Sequence, residues 1–158
     1  MFKFKSDAPA RTAELARRLA GGLRPGTVIC LDGDLGAGKT LFVQNLAAGL
    51  GVQGEVTSAT FNLMNLYEDG RLPLVHFDLY RLEQEYELDE IGFYDYAENP
   101  EGLVLIEWAE KFPECLPEDH IALEIQRTDV EDERVLVFSL AGSVLQDVYK
   151  EMEKLCQF

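Results

Sequence analysis

Long apolar runs are absent from these 158 residues. Nothing approaches the ~18 consecutive apolar residues of a membrane-spanning helix, and the amino terminus, Met1-Phe2-Lys3-Phe4-Lys5, lacks the apolar centre of a signal peptide. A cytoplasmic protein without membrane contact is expected. Cysteine is scarce. Cys30, Cys115 and Cys156 share no metal-ligand spacing and cannot all pair within the chain, so structural thiols are expected, Cys30 buried in a strand. Positive charge is scarce too: 14 Lys and Arg face 29 Asp and Glu, a formal charge of −15. Affinity for nucleic acid depends on neutralising phosphates with cations, so unaided binding of RNA or DNA is disfavoured and docking on other proteins is favoured. Apolar and charged fractions of 47% and 27% exclude disordered and fibrous classes. The length fits one domain, residues 1–158.

What is present centres on Gly33-Asp34-Leu35-Gly36-Ala37-Gly38-Lys39-Thr40, directly after the apolar run Val28-Ile29-Cys30-Leu31. This is the P-loop pattern G-x-x-x-x-G-K-[ST] in its required setting, a buried strand before and a helical pattern after. Glycines let the backbone turn with its N–H groups inward, so that residues 33–40 can cradle the phosphates of a nucleotide triphosphate. Lys39 would reach the terminal phosphates. Thr40 opens the next helix, where its hydroxyl can ligate Mg²⁺ while the positive end of the helix dipole faces the same phosphates.

Around this motif the periodicity predicts an α/β fold with a mixed sheet. Ser6 or Asp7 can cap a helix carrying Leu15, Ala16, Leu19, Ala20 and Leu23, ended by Gly21-Gly22 and Pro25-Gly26. Thr27 to Asp32 reads as a parallel strand covered on both faces, and a helix from Lys39 runs to a stop at Gly51. Phe61 to Glu68 and Arg71 to Asp78 read as strands joined by a tight Asp69-Gly70 turn, with Pro73 pointing to an edge. Glu83 to Ile91 is an acidic, solvated helix face, followed by a loop whose Phe93, Tyr94 and Tyr96 pack onto the body. Leu103 to Ile106 is a second buried strand. Ile121 to Gln126 and Arg134 to Leu140 form a hairpin, and a last helix starts with capping-box spacing at Ser143 and Gln146.

A P-loop needs a further carboxylate beside the metal, at the carboxyl end of a neighbouring strand. Glu107 ends the apolar run Leu103 to Ile106 and Asp78 ends the mixed run Leu74 to Phe77, and either can instead be an ordinary solvated strand end. Glu107 is the expected metal-side group, because Leu103 to Ile106 suits a central strand beside the P-loop strand, and Asp78 the neighbour that orients water or a switch loop. Ser58 and Thr60 stand where P-loop proteins carry a phosphate-sensing segment, and spacing alone equally allows a plain surface loop. His76 reads as structural or partner-facing, and Trp108 as core or as a surface anchor. Arg134 reads as a solvated hairpin residue or a nucleotide contact.

The set of residues 33–40, Ser58-Ala59-Thr60-Phe61, His76-Phe77-Asp78-Leu79-Tyr80-Arg81-Leu82 and Ile106-Glu107-Trp108 resembles the TsaE (YjeE) family of P-loop ATPases. The resemblance implies slow ATP hydrolysis in tRNA threonylcarbamoyladenosine modification beside the anticodon, with protein partners resembling TsaD and TsaB, and tRNA reached only through them. It also implies that residues 33–40 bind ATP, that Thr40 and Glu107 hold Mg²⁺, that Lys39 and Asp78 complete the catalytic set, and that residues 58–60 switch. Ala59 stands where the family loop usually has proline, which removes a fixed φ. A small-molecule kinase is the rival enzyme class, weakened because Arg71, Arg81, Arg127 and Arg134 are not clustered in sequence. A GTPase is disfavoured by the lack of Asn-Lys-x-Asp, and a non-hydrolysing nucleotide-dependent adaptor is the third class.

Overall fold

Uniformly apolar strands need cover on both faces, and the two most apolar stretches of this chain run side by side at the middle of one sheet. The computed structural model describes all residues except 57, 58, 60 and 61. In chain order the strands are β1 (Phe2–Ser6), β2 (Thr27–Gly33), β3 (Met64–Tyr67), β4 (Leu74–Asp78), β5 (Leu103–Glu107), β6 (His120–Arg127) and β7 (Arg134–Ala141). The helices are α1 (Pro9–Ala20), α2 (Lys39–Gly49), α3 (Tyr86–Glu90), α4 (Phe93–Ala97) and α5 (Gln146–Leu155). The sheet order is β1-β7-β6-β2-β5-β4-β3. The inner four, β6, β2, β5 and β4, are parallel, and β7, β1 and β3 add antiparallel flanks. This is the mixed α/β sheet flanked by helices that the periodicity predicts.

Strand alternation splits the core in two. Ile29 and Leu31 of β2 and Leu103 and Leu105 of β5 pack with Leu15 and Leu19 of α1, Phe42 and Leu46 of α2 and Met152 of α5. Val28, Cys30, Val104 and Ile106 face the other way, onto Leu88 of α3 and Phe93 of α4. Cys30 is buried as expected, and all three thiols are free. None of the described helices is long and apolar enough to cross a membrane.

Several local readings are corrected. The start of the chain is a strand: β1 pairs with β7 and Ser6 is its last residue, so neither Ser6 nor Asp7 caps α1, whose first turn begins instead at Pro9. The connection between β3 and β4 is longer than an Asp69-Gly70 hairpin turn, because Asp69 turns away to accept the amide of Gln53. Pro73 lies just outside β4, where its carbonyl accepts the amide of Leu103 at 2.8 Å, and β4 is interior with all five residues buried. The aromatic stretch after α3 is helical, with Phe93 packed edge-on against Phe77 at 5.1 Å. Ser143 caps nothing with its side chain; Asp119 accepts the amides of Ser143 and Val144 at 3.0 Å each.

Candidate functional site

The site is built where β2 gives way to α2. A Cβ on Gly33 would stand 2.8 Å from the carbonyl oxygen of Ile125, so the approach of β6 demands glycine there. Gly38 is the residue before α2 and holds φ +112, a left-handed value that L side chains rarely adopt. The loop is closed by the Ala37 amide donating to Asp34 at 3.0 Å and the Phe42 amide to Gly38 at 3.0 Å. Residues 34–36 remain exposed.

Lys39 folds back over this loop. Its ammonium donates to the carbonyl of Gly33, and to that of Asp34 at 3.4 Å, and lies 3.8 Å from the centre of the Trp108 ring. Burial lowers its pKa, while the negative charges of Glu107, Asp78, Glu110 and Asp32 act to raise it. Thr40 is exposed at the cleft. Trp108 is neither core nor a free anchor: at φ +58 its half-buried ring forms a wall over Lys39 and packs on Tyr80 at 4.9 Å.

Asp78 and Glu107 are register partners at the carboxyl ends of parallel neighbours β4 and β5, each 3% exposed. They are therefore not solvated strand ends. Alternation turns both toward the α2 side of the sheet, with Leu105 and Leu31. Asp78 Oδ1 accepts the Tyr80 amide at 3.0 Å. With Gly36, Gly38, Lys39, Thr40 and Trp108 the two acids line one cleft of about 280 Å³. On the opposite face, burial pushes the Asp32 carboxyl up to about 6, against the amide of Glu110.

Thr40, Asp78 and Glu107 offer hard oxygen donors on one cleft. Among the described residues no three His, Cys, Asp or Glu side chains cluster as a metal cage. One hydroxyl and two carboxylates suit Mg²⁺, which takes one or two carboxylates and otherwise prefers water and substrate phosphates. Ser58 and Thr60, the expected sensing segment, lie outside the described residues. Ala59 between them is buried, and its carbonyl accepts the Leu63 amide at 2.6 Å.

Two features escaped the sequence reading. Arg127 and Arg134 are register partners at the hairpin end of the β6–β7 pair; Arg127 Nη2 donates to the Leu35 carbonyl at 3.0 Å and Arg134 Nε to that of Ala37 at 2.9 Å. Arg134 is thus tied to the loop backbone and is not a free hairpin residue. His76, two residues before Asp78, has Nε2 2.6 Å from Glu107 Oε2. The His76-x-Asp78 spacing on an alternating strand was the available signal for it; nothing local could reveal the arginines.

The family model for threonylcarbamoyl adenosine biosynthesis protein TsaE matches residues 6–136. The tRNA threonylcarbamoyladenosine biosynthesis protein TsaE of Bacillus subtilis strain 168 is 38% identical over 152 residues, covering 96% of this chain and 94% of that one. The protein of the same description from Synechocystis is 45% identical over 106 residues, covering 65% and 67%. The crystal structure of Bacillus subtilis YdiB superposes with a TM-score of 0.77 at 35% identity, covering 97% of this chain and 94% of that one.

Proposed function

This chain belongs to the TsaE family and so to tRNA threonylcarbamoyladenosine biosynthesis, and on that premise we propose that it is the pathway's ATP-binding and ATP-hydrolysing component. The observation that carries the reading is the convergence of Lys39, Thr40, Asp78 and Glu107, from three separate elements, on one cleft beside a P-loop. The amides of the 33–38 loop that are not bonded within it and the Lys39 ammonium bind the phosphates and stabilise charge on the transferring phosphoryl group. Thr40 and Glu107 hold Mg²⁺, which when bound neutralises phosphate charge. Asp78 orients the attacking water, and Trp108 screens Lys39 from solvent. Transfer of the Lys39 ammonium from the Gly33 carbonyl to phosphate exchanges a backbone acceptor for an anionic one, a stronger hydrogen bond.

Activity in isolation is weak and rises when partners resembling TsaD and TsaB close the exposed cleft. The test is ADP release from ATP with and without those partners, beside a screen of small phosphoryl acceptors. Partner-stimulated hydrolysis to ADP and phosphate supports the reading. Transfer to an acceptor would make it a kinase, and tight binding without turnover an adaptor.

A further inference from the structure

None of the roles above uses His76, although it is 1% exposed and abuts the acid assigned to the metal. In the β4–β5 register His76 stands opposite Leu105 and Asp78 opposite Glu107, so His76 and Glu107 are diagonal neighbours on one face. The Nε2···Oε2 separation is 2.6 Å, and Nδ1 is buried with no hydrogen-bond partner among the described residues. Together these observations locate the ring hydrogen. A carboxylate only accepts, so Nε2 carries the hydrogen toward Glu107. A hydrogen on Nδ1 would be an orphaned buried donor, an arrangement folded proteins rarely keep.

We propose that His76 is a positioning residue for Glu107: as an Nε2–H donor it occupies Oε2, fixes the orientation of the carboxylate and leaves Oε1 as the oxygen free to meet a cation in the cleft. Hydrogen bonds of this kind orient carboxylates that ligate metals, and their loss typically weakens metal affinity by about 10–100-fold. The role rests on the ATP·Mg²⁺ reading above; Lys39 lines the same cleft, so a carboxylate left free to rotate toward its ammonium would compete with metal binding. Glutamine can place an amide N–H near the position of Nε2; phenylalanine keeps the ring and removes the donor.

ATP binding is measured by calorimetry across a Mg²⁺ titration for wild type, H76Q and H76F, with thermal melting of each nucleotide-free protein. H76F is expected to need about tenfold more Mg²⁺, with Mg²⁺-free ADP binding unchanged and H76Q close to wild type. A wild-type Mg²⁺ requirement in H76F overturns the positioning role alone, as does an H76Q protein that folds yet matches H76F. Absence of Mg²⁺-dependent binding in the wild type overturns the functional reading and this role with it. Long-range ¹H–¹⁵N spectra of the nucleotide-free wild type give a readout independent of every variant's folding: an Nε2-protonated His76 is expected, and an Nδ1-protonated ring overturns the proposal.

Discussion

Thr40 is exposed and takes part in no core packing, so its hydroxyl can be removed without disturbing the fold. Thr40→Ala is expected to change unfolding free energy by less than about 0.5 kcal/mol, while ATP turnover with partners falls at least about tenfold, as loss of a metal ligand implies. Wild-type turnover would remove Thr40 from the metal. Between the two acids, β5 adjoins the P-loop strand and β4 lies one strand further out. Glu107→Gln should therefore raise the Mg²⁺ concentration for half-maximal activity more than Asp78→Asn, and parallel titrations with the larger shift for Asp78→Asn would exchange their roles. Asp32 yields a pH signature. Its folded-state carboxyl, at about 6, lies above the ordinary value of 3.8 because of burial, so the folded protein holds the proton more tightly and this group's stabilising effect is lost as pH rises from about 4 to about 6. Asp32→Asn keeps an acceptor for the Glu110 amide. It should be more stable than wild type at about pH 8, by less than the ~3 kcal/mol that two units would give a fully buried group, with the gap closing toward about pH 4 in urea denaturation series.

The β6–β7 pair acts on the P-loop as a unit. Arg127 and Arg134 leave the ends of paired strands and grip the carbonyls of Leu35 and Ala37, while Arg134 also donates to Glu131 at 2.6 Å and Glu133 at 2.8 Å. Fixing these carbonyls steadies the loop whose remaining amides are proposed to face a phosphate. Arg134→Ala is expected to lower unfolding free energy by about 1–2 kcal/mol and to weaken ATP binding several-fold. Arg134→Lys should not restore it, since an ammonium lacks the planar fork that reaches several carbonyls together. Unchanged ATP affinity in Arg134→Ala, measured by calorimetry, would leave the pair as a fold contact only. Strand β4 gives the complementary lesson. Pro73 has no N–H for a ladder, yet it ends one residue before the strand and contributes its carbonyl to Leu103, so a proline that argues for an edge is compatible with an interior strand.

For the whole molecule, net charge bears on how a tRNA-pathway protein meets tRNA. With 29 acids against 14 bases, the counterion release that drives binding to nucleic acid has few cations to work through. The isolated protein is expected to bind tRNA weakly at ~0.15 M salt, with a complex appearing only when partners that carry the RNA are added. A submicromolar complex of this protein alone with tRNA in a filter-binding or anisotropy titration would contradict that division of labour.

Local pattern was enough for everything encoded by neighbours in the chain. The run from Val28 to Thr40 reads as strand, loop and helix because burial periodicity, glycine at turns and the Lys-Thr pair lie within a dozen residues, and Leu103 to Glu107 reads as a central strand because all its side chains want cover. The short strand β1 escaped notice because its inward face is only Phe2, Phe4 and Ser6 and its pairing partner lies far along the chain, in β7. The same separation hid the finer parts of the site. His76 meets Glu107 across 31 residues, and Arg127 and Arg134 meet the loop across more than 90. Those contacts depend on strand order and register, which short-range periodicity does not specify, since an alternating strand can pair on either side of a sheet with the same inward face. The sequence by itself determined the phosphate loop and the acids available to it; only the tertiary structure decided which histidine meets an acid and which arginines hold the loop.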